Sequence, residues 1–227
     1  MTAAMNIVQD FIPKGRKNRP GRANPMRYVT IHNTGNQNPG TDAKRHAAHV
    51  KSDAAANAPV SWHYTVDEHG AYQHLPDGED AFHCGDGAGP GNRQSIGIEI
   101  CMNSDGDLRK ATGNAAALAA GLCKKYNIPL ENVVQHHRWS GKNCPQMLRA
   151  GQPYGWGAFM ANVQEMMTDK ADVAELRFNN LDEIPEWGKA AVRKLIDRDV
   201  FADTSKLDLS IDMLRILVFN NRMGIYD

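Results

Sequence analysis

An α/β fold, with a mixed central β-sheet flanked by helices and a small helical domain at the C-terminal end, is predicted by three features of this 227-residue chain. Short apolar runs of strand type alternate with segments of helical period, the order that builds a sheet covered by helices. A polar stretch at Thr168–Ala174 interrupts that pattern, and only helical patterns follow it. The length suits one full domain and a small appendage, so the boundaries are placed at 1–168 and 169–227.

The first strand is read at Arg27–His32, where Tyr28, Thr30 and His32 alternate with Val29 and Ile31. Thr41-Asp42 caps a helix running to about Ser52. Strands at Trp62–Val66 and Tyr72–Leu75 are joined by the turn Asp67-Glu68-His69-Gly70. From Leu75 to Gln94 there are five glycines and two prolines, a length and composition that mark a functional loop rather than a simple connection. Ile96–Cys101 is a buried strand whose apolar flanks make Glu99 conspicuous, and Ala111–Tyr126 is an alanine-rich helix ending near Asn127 and Pro129. A short strand at Asn132–Gln135 delivers the loop that starts at His136, and a helix follows at Gly157–Met167. Beyond the linker, helices are expected at Glu186–Arg198 and Ser210–Met223. Sheets of this kind place their sites at strand ends and in the loops beyond, where His32, Glu99 and His136 fall.

With 41% hydrophobic residues and zero formal net charge, the composition is that of a globular protein and excludes a nucleic-acid binder held by bulk charge. Cys84, Cys101, Cys123 and Cys144 show neither a CxxC nor the spacing of a disulfide scaffold, so reduced thiols are expected. No run is long enough to insert in a membrane, and the first twenty residues lack a secretory apolar core. The expectation is synthesis in the cytoplasm without a signal peptide, any action outside the cell following release by other means.

Three side chains stand out as metal ligands. His32 closes the first strand, and the loop His136-His137-Arg138-Trp139-Ser140-Gly141-Lys142-Asn143-Cys144-Pro145 offers an imidazole and a thiol. Structural zinc is closed by four protein ligands, whereas catalytic zinc keeps three and leaves the fourth position open. His32, one loop histidine and Cys144 make the open kind, with His136 and His137 both available for the middle place.

The segments Ile31-His32-Asn33-Thr34, Ser61-Trp62-His63-Tyr64, Ala81-Phe82-His83-Cys84-Gly85-Asp86-Gly87, Asn92 through Cys101 and His136 through Pro145 resemble, in order, the motif series of zinc-dependent N-acetylmuramoyl-L-alanine amidases. That family includes phage endolysins, bacterial autolysins and peptidoglycan recognition proteins, and the resemblance covers about residues 25–150. It implies one Zn2+ per chain on His32, His136 and Cys144, the family's spacing of eight residues to the cysteine selecting His136 over His137. It also implies Glu99 as the base that takes a proton from water, and Lys142 as the cation that stabilises a developing oxyanion. His83 resembles a residue lining the substrate groove, with packing within the loop as the alternative, and Asn33, Asn92 and Arg93 are further groove candidates. Many relatives carry a catalytic tyrosine where Trp62 stands here, and an indole is neither acid nor base at neutral pH. Trp62 is therefore expected to serve as wall, leaving more of the proton work to Glu99.

The implied substrate is bacterial peptidoglycan, cut between N-acetylmuramic acid and L-alanine, with a phage or prophage endolysin as the leading role. A cellular autolysin and a binding protein without activity are the alternatives, the latter usually marked by loss of the cysteine that Cys144 retains. His46, His49, His63, His69 and His74 are assigned to surface or packing, Cys101 and Cys123 to packing, and Asn103–Asp107 to a polar turn rather than a calcium loop. The tail from Phe178 resembles a single S-layer-homology unit, a wall-binding helical module, without its Thr-Arg signature. Wall binding is expected of it. The alternative is a homodimerisation or docking element whose apolar faces, including Trp187, Leu195, Leu214 and Leu217, cover the amidase domain or a second copy.

Overall fold

The computed structural model describes residues 5–168 and 177–226. Two compact units, Met1–Met167 and Thr168–Asp227, divide the chain. The linker expected at Thr168–Ala174 lies, apart from Thr168, outside the described residues.

The first unit contains a six-stranded sheet. In chain order its elements are β1 (Ile7–Gln9), β2 (Tyr28–Asn33), α1 (Ala43–Val50), α2 (Asp53–Ala56), β3 (Tyr64–Asp67), β4 (Gly70–Gln73), α3 (Pro90–Arg93), β5 (Ser95–Ile100) and α4 (Leu108–Tyr126). A 3-10 turn at Leu130–Asn132 then leads into β6 (Val133–Gln135), α5 (His137–Ser140), α6 (Gln146–Arg149) and α7 (Trp156–Met167). The strands lie in the order β1-β4-β3-β5-β2-β6. β2 is parallel to both β5 and β6, β3 is parallel to β5, and the β3–β4 hairpin is antiparallel.

Alternation along the strands sorts the two faces of this sheet. Val29 and Ile31 of β2 and Ile96, Ile98 and Ile100 of β5 are fully buried against Ala115, Ala116 and Ala119 of α4 and Phe159 and Val163 of α7. Alanines on α4 let its backbone lie close to the strands, and its ends are fixed locally. Asp107 accepts the Lys110 backbone N–H at the start, and Asn127, at φ +53°, closes the other end in the left-handed region. On the other face the register pairs His32 with Glu99 and Thr30 with Gly97. One sheet face is hydrocarbon, and the other carries the polar residues of the site.

Several boundaries differ from those expected of the sequence. β1 was not expected: its three residues are all exposed and lie parallel to β4 at the sheet edge, so no buried alternation marks them. β3 begins at Tyr64, leaving Trp62 in the preceding loop, and β4 begins at Gly70. Gly70, at φ +145°, would bring a Cβ to within 2.4 Å of the Asn6 carbonyl oxygen, which ties the hairpin to the chain entering β1. α4 starts three residues before Ala111 because Asp107 caps it. The four-residue helices α2, α3, α5 and α6 are too short to show a period.

The second unit comprises β7 (Arg177–Phe178), α8 (Glu186–Ile196), β8 (Leu209–Ser210) and α9 (Ile211–Arg222). Phe178, Ile184, Val192, Leu207, Leu209 and Leu214 form its core. Gly188 allows α8 and α9 to approach, since a Cβ there would meet Leu214 Cδ1 at 2.8 Å. Leu195 and Leu214, expected on a face offered to a second copy, are buried inside the unit itself, whereas Trp187 is exposed. Among the described residues no helix is long and apolar enough to cross a membrane.

Candidate metal centre and active site

Three strands of the sheet converge on one point. β2 ends in His32 and Asn33, β5 places Glu99 beside His32, and β6 hands the chain to His136 and the turn α5 that returns it to Cys144. His32 Nδ1 lies 3.0 Å from His136 Nδ1 and 3.8 Å from Cys144 Sγ. All three residues are buried, and their ligand atoms lie within 4.8 Å of one another. Zinc with its usual bond lengths and tetrahedral angles separates two nitrogens by about 3.3 Å, and a nitrogen from a sulfur by about 3.6 Å. The donor set therefore fits that ion in both chemistry and spacing. His137, the rival in the sequence, is exposed on α5.

Burial sets the protonation of these groups. Desolvation and the neighbouring imidazoles hold His32 well below the usual histidine range, and desolvation also lowers His136. Both rings are consequently neutral near pH 7 and able to offer lone pairs. Burial, reinforced by Glu99, pushes the Cys144 thiol up to about 11, so a cation must displace its proton to use the sulfur. Glu99 sits 3.8 Å from His32 Nδ1 with its side chain 16% exposed. Desolvation pushes its carboxyl up to about 7, against the opposing pull of the Lys142 charge. Among the described residues Glu99 Oε2 is buried with no hydrogen-bond partner.

The donor triangle opens onto a cavity of about 1080 Å³ whose lining includes Glu99, His136, Lys142, Trp62, His83 and Arg93. The sequence profile of the N-acetylmuramoyl-L-alanine amidases matches residues 22–147, which is more than half of the chain and contains every one of these residues. The chain belongs to the N-acetylmuramoyl-L-alanine amidase family. It is 50% identical over 159 residues to the N-acetylmuramoyl-L-alanine amidase XlyA of Bacillus subtilis (strain 168), covering 70% of this chain and 51% of XlyA. The amidase CwlH of the same organism is 49% identical over 165 residues, covering 72% of this chain and 63% of CwlH. The chain thus spans between half and two thirds of the length of these curated relatives. Among solved structures, the catalytic domain of XlyA superposes with a TM-score of 0.65 at 51% identity, covering 70% of this chain and 99% of that one. The structure of PlyL gives a TM-score of 0.62 at 38% identity, covering 70% and 97%. The amidase fold expected from the sequence is the fold observed.

Within this amidase unit the remaining candidates divide. Trp62 donates its indole N–H to Thr65 Oγ1 at 2.7 Å, which leaves its ring face as cavity wall. Arg93 lines the cavity beside Arg22, and both face the fully buried carboxylate of Asp80, at 3.5 and 2.7 Å. Asn33 does not reach the cavity. Its Oδ1 accepts the Met147 backbone N–H at 3.0 Å and its Nδ2 faces the Ile100 carbonyl oxygen, so it joins β2 to the start of α6. Asn92 has a scaffolding place in the glycine-rich loop, its Oδ1 accepting the backbone N–H groups of both His83 and Cys84. His83 touches the cavity, yet both its ring nitrogens face protein atoms, Nδ1 lying 2.9 Å from His32 Nε2 and 3.2 Å from Cys84 Sγ, and Nε2 lying 3.4 Å from Ser95 Oγ.

His46 and His49, assigned to surface or packing from the sequence, line the cavity, as do Arg22 and Arg45. The 46/49 spacing on α1 was the available signal, but nothing in the sequence says which strand end that helix overlooks. His63 and His74 do pack: His63 Nε2 donates to the Glu79 carbonyl oxygen, and His74 Nε2 lies 2.8 Å from Thr65 Oγ1. Asn103–Asp107 is a polar turn in which Asp105 accepts the Gly40 N–H.

Proposed function

We propose that this chain hydrolyses the amide between the lactyl carbonyl of N-acetylmuramic acid and the L-alanine amine of peptidoglycan. The observation that carries the reading is the His32, His136 and Cys144 triangle beside Glu99 at the floor of an open cavity. His32 Nδ1, His136 Nδ1 and Cys144 Sγ would hold one zinc. Bound there, the ion supplies Lewis-acid polarisation of a carbonyl and acidification of water.

The chain's own groups complete the reaction. Glu99 accepts the proton of the attacking water on a carboxylate oxygen and returns it to the departing alanine nitrogen, so that the products are a free lactyl carboxylate and a free amine. Lys142, whose charge is felt at Glu99, His32 and His136 alike, stabilises the negative charge that develops on the carbonyl oxygen. Trp62 supplies an apolar wall. Arg93 and Arg22 share the single buried carboxylate of Asp80, so one positive charge is left over at the cavity edge to meet a carboxylate of the stem peptide.

The role we assign is that of a phage or prophage endolysin that reaches the wall after release from the cytoplasm. One solved relative, 49% identical over 70% of this chain, is a mutant endolysin from Bacillus subtilis. The second unit is assigned to wall targeting. A second attachment point raises the local concentration of the catalytic unit on an insoluble polymer without altering its chemistry. The test is hydrolysis of a soluble N-acetylmuramoyl peptide, expected to stop on chelation and to return with zinc. Undiminished hydrolysis in excess chelator would remove the metal from the reaction.

A further inference from the structure

Each histidine of the donor triangle has a second ring nitrogen, and these two nitrogens meet consecutive residues of the glycine-rich loop. His136 Nε2 is 2.9 Å from the Cys84 carbonyl oxygen, and His32 Nε2 is 2.9 Å from His83 Nδ1. A carbonyl oxygen only accepts, so neutral His136 carries its proton on Nε2 and presents Nδ1 as a lone pair.

For His32 the proton is placed by a chain of side chains. Ser95 Oγ lies 2.6 Å from the Gly91 carbonyl oxygen and 3.4 Å from His83 Nε2. Its single hydrogen goes to the shorter contact, where the partner can only accept. Thr30 Oγ1 accepts the Trp139 indole N–H at 3.0 Å and lies 2.8 Å from Ser95 Oγ, to which it donates. The serine oxygen therefore faces His83 as an acceptor, which puts the His83 proton on Nε2 and leaves His83 Nδ1 bare. Cys84 Sγ also faces His83 Nδ1, at 3.2 Å, but a thiol is a weak donor; His32 Nε2, closer at 2.9 Å, donates to that lone pair, and His32 Nδ1 is left as a lone pair. Two bare Nδ1 atoms 3.0 Å apart repel each other until a cation lies between them.

We infer that His83 and Cys84 form the outer shell of the metal centre. His83 Nδ1 is a positioning acceptor that fixes the tautomer and ring orientation of His32, as the Cys84 carbonyl does for His136. The inference rests on the metal-centre reading above and replaces the groove role expected for His83. The loop is built to hold the pair in place. Asn92 Oδ1 accepts both of their backbone N–H groups at 2.8 Å. Gly97 leaves the room the imidazole needs, since a Cβ there would come within 2.6 Å of His83 Nδ1, and a Cβ on Gly91 would come within 2.7 Å of the Cys84 Cβ. His32, His83 and Cys84 also lie close enough together to be read as a second metal site. That reading needs a lone pair on His32 Nε2, where the hydrogen-bond chain puts a proton.

The test measures zinc affinity of the full chain by chelator competition, together with long-range ¹H–¹⁵N NMR of the imidazoles in the zinc-loaded protein. Loss of an outer-shell acceptor weakens metal binding by roughly 10–100-fold, which is the effect expected for His83→Ala. His83→Asn places an amide oxygen where Nδ1 stood and is expected to restore affinity to near wild type. The spectra are expected to show His32 and His83 both protonated on Nε2. Equal loss in the two variants would assign His83 a merely structural role and overturn the inference, as would unchanged affinity in both. Should the alanine variant fail to fold, the wild-type spectra decide alone, and a proton on His83 Nδ1 refutes the scheme. A second zinc equivalent that vanishes in Cys84→Ser would replace it by the two-metal reading. A wild-type chain that binds no zinc overturns the metal centre and the inference together, whereas indistinguishable variants of a zinc-binding chain overturn the inference alone.

Discussion

Glu99→Gln separates the chemical duty of this residue from its cost to the fold. The carboxyl is buried beside His32, Oε2 has no partner among the described residues, and desolvation moves its pKa from the ordinary 4.5 to about 7. In the metal-free chain the native state therefore binds a proton more tightly than the unfolded state. Stability falls as pH rises from about 4.5 to about 7 and stays reduced above that window. A tenfold change in proton affinity corresponds to ~1.36 kcal/mol, so an ionised Glu99 costs on the order of 3 kcal/mol at pH 8. Glutamine has nearly the same shape and no charge to desolvate. In chelator, Glu99→Gln is expected to unfold roughly 6–12 °C higher than wild type at pH 8 for a domain of this size, and at nearly the same temperature at pH 4. The same variant should retain zinc and lose ~10²–10⁴-fold in turnover, because the amide cannot take a proton. Calorimetric scans at the two pH values read the first effect, and release of amine from a soluble muropeptide reads the second. An equal melting difference at both pH values, or none, would refute the cost assigned to the buried carboxylate. Wild-type turnover would remove Glu99 from the reaction.

The other expectations follow from the same geometry. Cys144→Ser should lose zinc and activity, while Cys101→Ser, at a buried thiol outside the donor triangle, should keep both; equal metal loss in the two would contradict the ligand set. Zinc uptake at pH 8 should release about one proton from the Cys144 thiol, which burial holds at about 11, as read by calorimetry in buffers of different ionisation enthalpy. Lys142→Ala should keep zinc and lose ~10²–10³-fold in turnover, the effect of one oxyanion donor, and a wild-type rate would dismiss it. A chain ending at Thr168 should cleave soluble muropeptides as fast as the full chain but bind and lyse whole walls more weakly. A change from dimer to monomer in sedimentation, with wall binding unchanged, would make the second unit an assembly element instead.

The catalytic face of the sheet was legible because strand period is a local property. Alternation in Val29–His32 and Ile96–Cys101 separates Ile31 and Ile98 from His32 and Glu99 without reference to the rest of the chain, and the sheet register then sets the two polar residues side by side. The choice between His136 and His137 could not be made from residue chemistry alone. It depends on where α5 begins, since one of these neighbours is buried at the end of β6 and the other is exposed. The cavity walls contributed by Arg22, Arg45, His46 and His49 were illegible for a different reason. They come from the N-terminal loop and α1, and tertiary packing alone brings those segments to the cavity that Glu99 and His136 also line. The surroundings of His83 were illegible for the same reason: besides its neighbour Cys84, the atoms that face its nitrogens belong to His32 and Ser95, which tertiary packing brings to the loop.

The most direct test of the proposed activity is mass spectrometry of purified peptidoglycan digested by the full chain. Amidase cleavage predicts glycan strands carrying free lactyl carboxylates, together with stem peptides bearing new L-alanine amino termini, and no new reducing sugar ends. New reducing ends, or new amino termini elsewhere in the stem or cross-bridge, would contradict it.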